Sequence, residues 1–79
     1  MRVTHTLTIE ASCPVDNKLD VYECTIEASR TIPVEDILKA TADLPKAFQE
    51  DITATLARTL GATVRTVGWH SGVKTEVVA

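Results

Sequence analysis

The sequence predicts an α+β fold, a four-stranded antiparallel sheet with two helices on one face. Three observations lead there. Apolar and polar residues alternate in two stretches near the amino terminus and two near the carboxyl terminus, the period of strands with one buried face. Two stretches of helical spacing lie between those pairs. Turn-forming residues join the strands of each pair, so both pairs read as hairpins and the order is strand, strand, helix, helix, strand, strand.

Val3 to Ser12 turns Val3, His5, Leu7, Ile9 and Ala11 to one side and Thr4, Thr6, Thr8, Glu10 and Ser12 to the other. Pro14 ends this strand, and Val15-Asp16-Asn17-Lys18 supplies a turn. Val21 to Arg30 alternates again, with Tyr22, Cys24, Ile26 and Ala28 inward. Thr31-Ile32-Pro33 opens a short helix, proline being suited to a first turn, with an inner stripe of Val34, Ile37, Leu38 and Thr41. Asp43-Leu44-Pro45 restarts the chain as a longer helix with the stripe Phe48, Ile52, Leu56 and Leu60, capped by Gly61. Ala62 to His70 and Val73 to Val78 form the last hairpin, turning at Ser71-Gly72.

The 79 residues read as one domain, spanning 1–79, with a net charge of −3. A domain this small buries only about 60% of its unfolded surface and needs a staple. No metal-ligand spacing is present and the cysteines are not placed to bridge, which leaves self-association. A homo-oligomer is therefore expected, with ring closure hiding the sheet edges. The eight Lys and Arg are scattered, which argues against a broad nucleic-acid surface on the monomer. No apolar run approaches the roughly 20 residues of a membrane span, and the amino terminus lacks the apolar core of a signal peptide. A cytoplasmic setting with reduced thiols is the expectation.

Chemistry concentrates at Cys13-Pro14, at Asp20 seven residues on, and at Glu50 early in the longer helix. With the first hairpin centred near Asp16-Asn17, Cys13 lies opposite Asp20, their Cβ atoms about 5 Å apart. Cys24 then faces Ile9, and the two cysteines stand more than about 10 Å apart, beyond disulfide reach. Cys24 reads as a small core residue. Cys13, at a strand end, is either a structural thiol or a nucleophile. A carboxylate neighbour does not favour a thiolate, so Asp20 suits proton donation and acceptance for whatever Cys13 attacks. Glu50 has two readings, a partner for the helix dipole, which Asp51 serves equally, or an acceptor for the N–H edge of a guanine or pterin ring. His5 reads as a satisfied core or interface histidine, and His70 beside Ser71-Gly72 as a turn residue or a ligand contact. Trp69 and Tyr22 suit core or interface packing more than stacking on a flat ring, and Glu23, Glu27, Lys74 and Glu76 a solvated sheet face.

These residues carry a resemblance. Cys13-Pro14 followed by Asp20, together with Phe48-Gln49-Glu50-Asp51 where the family has Phe-His-Glu-Asp, resembles the tunnelling-fold 7-cyano-7-deazaguanine reductases, and most of all their amidine-forming relatives of the archaeosine synthase kind. The resemblance runs from about Glu10 through the longer helix and loosely into the last hairpin. It implies a tunnelling fold assembled as a ring or barrel, with sites between subunits. It also implies that Cys13 attacks a nitrile carbon to form a thioimide, that Asp20 handles the protons, and that Glu50 anchors the deazaguanine's N–H edge; Gln49 and His70 are expected beside it as further substrate contacts. The substrate is the free base or the base within nucleic acid. The family's reductases carry a lysine-rich segment associated with NADPH, whereas residues 31–38 here hold Glu35, Asp36 and no lysine. Gln49 also replaces the family's histidine. The resemblance therefore favours amidine formation with ammonia and no cofactor. NADPH-dependent reduction is the alternative, and a non-catalytic purine- or pterin-binding relative a second one.

Overall fold

The computed structural model describes residues 1–42 and 44–79. The elements follow the expected order: β1 (Val3–Ser12), β2 (Leu19–Ala28), α1 (Val34–Ala42), α2 (Gln49–Leu60), β3 (Thr63–His70) and β4 (Val73–Val78). The strands form one antiparallel sheet in the order β1-β2-β3-β4, which leaves β1 and β4 as edges. Alternation buries Ile9, Ala11, Tyr22, Cys24, Ile26 and Val64 on the face that meets Ile37 of α1 and Ile52, Leu56 and Leu60 of α2. The opposite face carries the Arg65–Glu76 ion pair and an open Trp69 (65% exposed), so this tryptophan packs into no core within the chain. His5 is half-buried, and its Nε2 accepts the Ile32 N–H at 3.3 Å, as its place on the inner face suggested.

Local chemistry explains the turns. Ser71 (φ 50°) and Gly72 (φ 85°) are both left-handed, the two-residue hairpin turn whose twist matches that of the strands. Gly61, also left-handed at φ 59°, ends α2 by donating its N–H to Ala57 O, and the Arg30 guanidinium donates to Leu60 O at 3.3 Å.

Three expectations are corrected. The β1–β2 register is shifted by two residues: Ala11 faces Asp20, Leu7 faces Cys24, and Cys13 pairs with Lys18 through Cys13 N–H to Lys18 O at 2.9 Å. Asn17 is the cause. It takes the left-handed position (φ 61°) at the end of a four-residue loop, 14–17, and not at its centre, and its N–H returns to Cys13 O at 3.0 Å. A shift of two keeps every side chain on its predicted face. In α1 only Ile37 is buried; Val34 (57% exposed) and Leu38 (56%) flank the groove beside β1 and do not face the core. The longer helix starts at Gln49, so Phe48 is its N-cap residue, in extended backbone and 47% exposed, and not part of the buried stripe. Of the segment expected to restart the helix, Leu44 and Pro45 are irregular and Asp43 lies outside the described residues.

Gly68 on β3 is a close approach required by packing. A Cβ there would stand 2.7 Å from Tyr22 Cε1 and nearer still to Cδ1, so the bare backbone lets the tyrosine ring lie across the strand. Gly68→Ala should destabilise the fold by about 1–3 kcal/mol, the usual cost of overpacking. It should also move Tyr22. Chemical denaturation and Tyr22 ring NMR shifts check the two effects together.

Candidate functional site

A cleft of about 290 Å³ opens where the β1–β2 loop, the start of α2 and the β3–β4 turn converge. Its walls are Cys13, Pro14, Val15, Asp20, Tyr22, Ala47, Phe48, Gln49, Glu50, His70 and Thr75. All five residues singled out from the sequence are therefore brought to one place. Within one chain, Glu50 lines the same cleft as Cys13 and Asp20.

Cys13 is half-buried at the loop's first rung, and Asp20 is half-buried on the same face of β2. In the observed register they are diagonal neighbours, which in sheets separates Cβ atoms by roughly 7–8 Å. That is wider than the directly opposed pair the sequence suggested, and it leaves room for a reacting atom between sulfur and carboxylate. A second acid, Asp16, flanks the thiol from the loop. Its carboxyl is held below the usual carboxylate range by the Lys18 N–H, which donates to Oδ1 at 3.0 Å, and also by the Cys13 thiol. Asp16 drew no notice in the sequence beyond its turn propensity.

Tyr22 was legible as a core residue or a stacking ring, but not as a partner of Asp20. Burial, then the charge of Asp20 and its hydrogen bond, push the hydroxyl up to about 12, so it stays protonated and donates to Asp20 Oδ2 at 3.3 Å. The His70 ring stands tilted against the Tyr22 ring, centroids 5.9 Å apart, with Nδ1 3.9 Å from Asp20 Oδ2. Glu50 and Asp51 both sit in the acidic first turn of α2, yet only Glu50 lines the cleft. The helix dipole alone asks for no such difference. Phe48 offers an exposed ring edge or face at the same rim, suited to stacking on a flat heterocycle.

Gln49, placed by the sequence among the ligand contacts, is turned into the protein. It is 4% exposed, and its amide bonds Thr66 O (3.2 Å), Thr66 Oγ1 (3.1 Å), Thr75 O (3.1 Å) and His70 Nε2 (2.8 Å). Among the described residues no cluster of three His, Cys, Asp or Glu could hold a metal ion, and no helix is long and apolar enough to cross a membrane.

The two thiols differ in kind. Cys24 is fully buried, and burial pushes its thiol from an ordinary 9.0 up to about 11. With Tyr22 likewise raised from 10.0 to about 12, folding keeps two protons that the unfolded chain loses earlier. Stability from both groups is complete below about pH 9 and is lost as pH rises through about 11 and about 12, because the unfolded state then binds fewer protons. A falling Tm between those limits, moderated in Cys24→Ala, is the expected result of thermal melts across alkaline pH.

On this ββααββ sheet a cysteine and a carboxylate at the mouth of a hairpin share a cleft with a helix-borne glutamate. The backbone is similar to the crystal structure of the archaeosine synthase QueF-Like in the apo form: TM-score 0.85 and 20% sequence identity, covering 99% of this chain and 90% of that one. At that identity the likeness establishes the fold, the tunnelling fold that the resemblance implied. No family model matches the sequence, and no match was found among curated proteins.

Proposed function

We propose that this chain is a nitrile-processing enzyme of 7-deazaguanine metabolism that converts 7-cyano-7-deazaguanine to an amidine through Cys13. The observation that carries the reading is the convergence of Cys13, Asp20 and Glu50 on one cleft of this fold. Its volume of about 290 Å³ sits at the lower end of small-molecule sites, about 300–1,000 Å³, and suits one flat bicyclic base.

Cys13 Sγ adds to the nitrile carbon: a C–S bond forms, one C–N π bond breaks, and the nitrogen takes a proton from Asp20. The thiol's own proton restores the acid. Ammonia then adds to the thioimide carbon, and collapse expels the sulfur, which recovers a proton from the added nitrogen. Glu50 accepts N–H bonds from the pyrimidine edge, and Phe48 and Tyr22 line the ring's path. No cofactor is consumed. Glu35 and Asp36, exposed in the first turn of α1, would repel a phosphate-rich cofactor. The neighbour's description as an archaeosine synthase supports deazaguanine chemistry in this fold.

The protein acts as a homo-oligomer in this reading, in a cytoplasmic setting that keeps Cys13 reduced. The free edges of β1 and β4 and the exposed Val34, Leu38 and Trp69 supply surfaces for association. The test is incubation with the free nitrile base and ammonium, with product mass read by chromatography. Amidine without NADPH supports the proposal. Oxidation of NADPH with formation of the aminomethyl base would replace it with the reductase, and recovery of an unaltered, reversibly bound base with the binding protein.

A further inference from the structure

The positions of protons around Gln49 are dictated by groups that can only accept. Thr53 Oγ1 lies 2.7 Å from the Gln49 carbonyl oxygen and 2.7 Å from Thr66 Oγ1. A carbonyl never donates, so Thr53 gives its proton to Gln49 O and Thr66 gives its own to Thr53. Two of the three atoms around Gln49 Nε2 are backbone carbonyls, so the NH2 end of the amide must face them. The amide oxygen then points at His70 Nε2, 2.8 Å away. Since that oxygen also only accepts, Nε2 carries the ring proton. A neutral imidazole protonated there presents a lone pair at Nδ1, and Nδ1 is the atom turned to Asp20 Oδ2, 3.9 Å away.

That separation is too long for a direct hydrogen bond. With Asp20 ionised and His70 neutral, two acceptors confront each other. One added proton removes the conflict, as a carboxylic acid facing Nδ1 or as an imidazolium facing the carboxylate. Tyr22 holds Asp20 Oδ2 in place from the other side. The geometry suits a proton that passes between the two groups.

We propose that His70, fixed by Gln49 as the Nε2–H tautomer, is the proton-exchange partner of Asp20, and that Gln49 is its positioning residue. This rests on the reading of Cys13 and Asp20 as the reacting pair. The proton count agrees. Thioimide formation takes one proton from the pair to the nitrile nitrogen and returns one from the thiol. The ammonia step passes one from the added nitrogen to the departing sulfur. The pair ends each half-reaction with the proton it began with.

The decisive measurement is a long-range ¹H–¹⁵N correlation spectrum of the ring-labelled, unliganded protein. A proton on Nε2 is expected, with Nδ1 bare when the acid is Asp20 and protonated when it is the imidazolium, and a neutral ring protonated at Nδ1 alone overturns the proposal. Gln49→Met should yield a mixture of tautomers; an unchanged single tautomer removes the role given to Gln49. The wild-type spectrum and His70→Gln leave the buried threonine layer untouched, so neither depends on that variant folding. His70→Gln keeps a donor toward Gln49 but has no exchangeable ring, and should form the nitrile adduct more slowly than wild type. Adduct formation at the wild-type rate overturns the exchange role. Should the wild-type protein form no adduct, the nitrile chemistry fails, and the spectrum alone decides where the proton sits.

Discussion

Cys13→Ala is expected to abolish amidine formation and the covalent intermediate, while Cys24→Ala keeps both. The two thiols sit on the same face of the sheet but in opposite environments. Cys13 lines the cleft at the first rung of a loop and meets whatever enters. Cys24 is sealed beneath the helices and held protonated until about pH 11. Nucleophilic addition to a nitrile needs the sulfur at the carbon, and no other cleft side chain offers a comparable nucleophile, so the loss in Cys13→Ala is complete. Cys24→Ala opens a small cavity and costs stability, not chemistry. Turnover of both variants with the free nitrile base, after circular dichroism confirms folding, checks the contrast.

Asp20→Asn is expected to slow thioimide formation by roughly 100- to 10,000-fold, the range of general acid–base assistance. Asparagine keeps the volume and an oxygen able to accept the Tyr22 hydroxyl, so the floor of the cleft should persist. What it loses is the proton that a nitrile nitrogen must receive as the C–S bond forms. An Asp20→Asn protein that forms adduct at the wild-type rate would assign the proton to Asp16 or to solvent. Single-turnover kinetics followed by intact-protein mass separate these results.

The sheet and its contents were legible because alternation is a local property. Ile9, Tyr22, Cys24, Ile26 and Val64 needed only a period of two to be placed inside. The turn at Ser71-Gly72 and the stop at Gly61 were legible because few residues accept a left-handed backbone. The first hairpin's register was not, since Asn17 serves the middle or the end of a loop equally well, and the choice moved Asp20 from Cys13 to Ala11. Val34 and Leu38 fit the apolar spacing of α1 yet face outward, as a period cannot tell a buried apolar face from an exposed one. Phe48 was drawn into the stripe of α2 because the sequence does not mark where that helix begins.

The cleft divides in the same way. Cys13, Asp20 and Glu50 stood out by type and spacing. The layer that supports them did not. Gln49, Thr53 and Thr66 form a fully paired polar seam inside the core, and hydrophobic patterning assigns such residues to the surface. Tyr22 hid its second role for the opposite reason: its ring belongs to the core and only its hydroxyl reaches Asp20.

The most direct measurement is peptide mapping by tandem mass spectrometry after the protein is mixed with 7-cyano-7-deazaguanine in the absence of ammonia. The account predicts one adduct per chain, heavier by the entire nitrile base because addition expels nothing, and located on the peptide carrying Cys13-Pro14. An unmodified Cys13 after saturating exposure, or an adduct on any other residue, would contradict it.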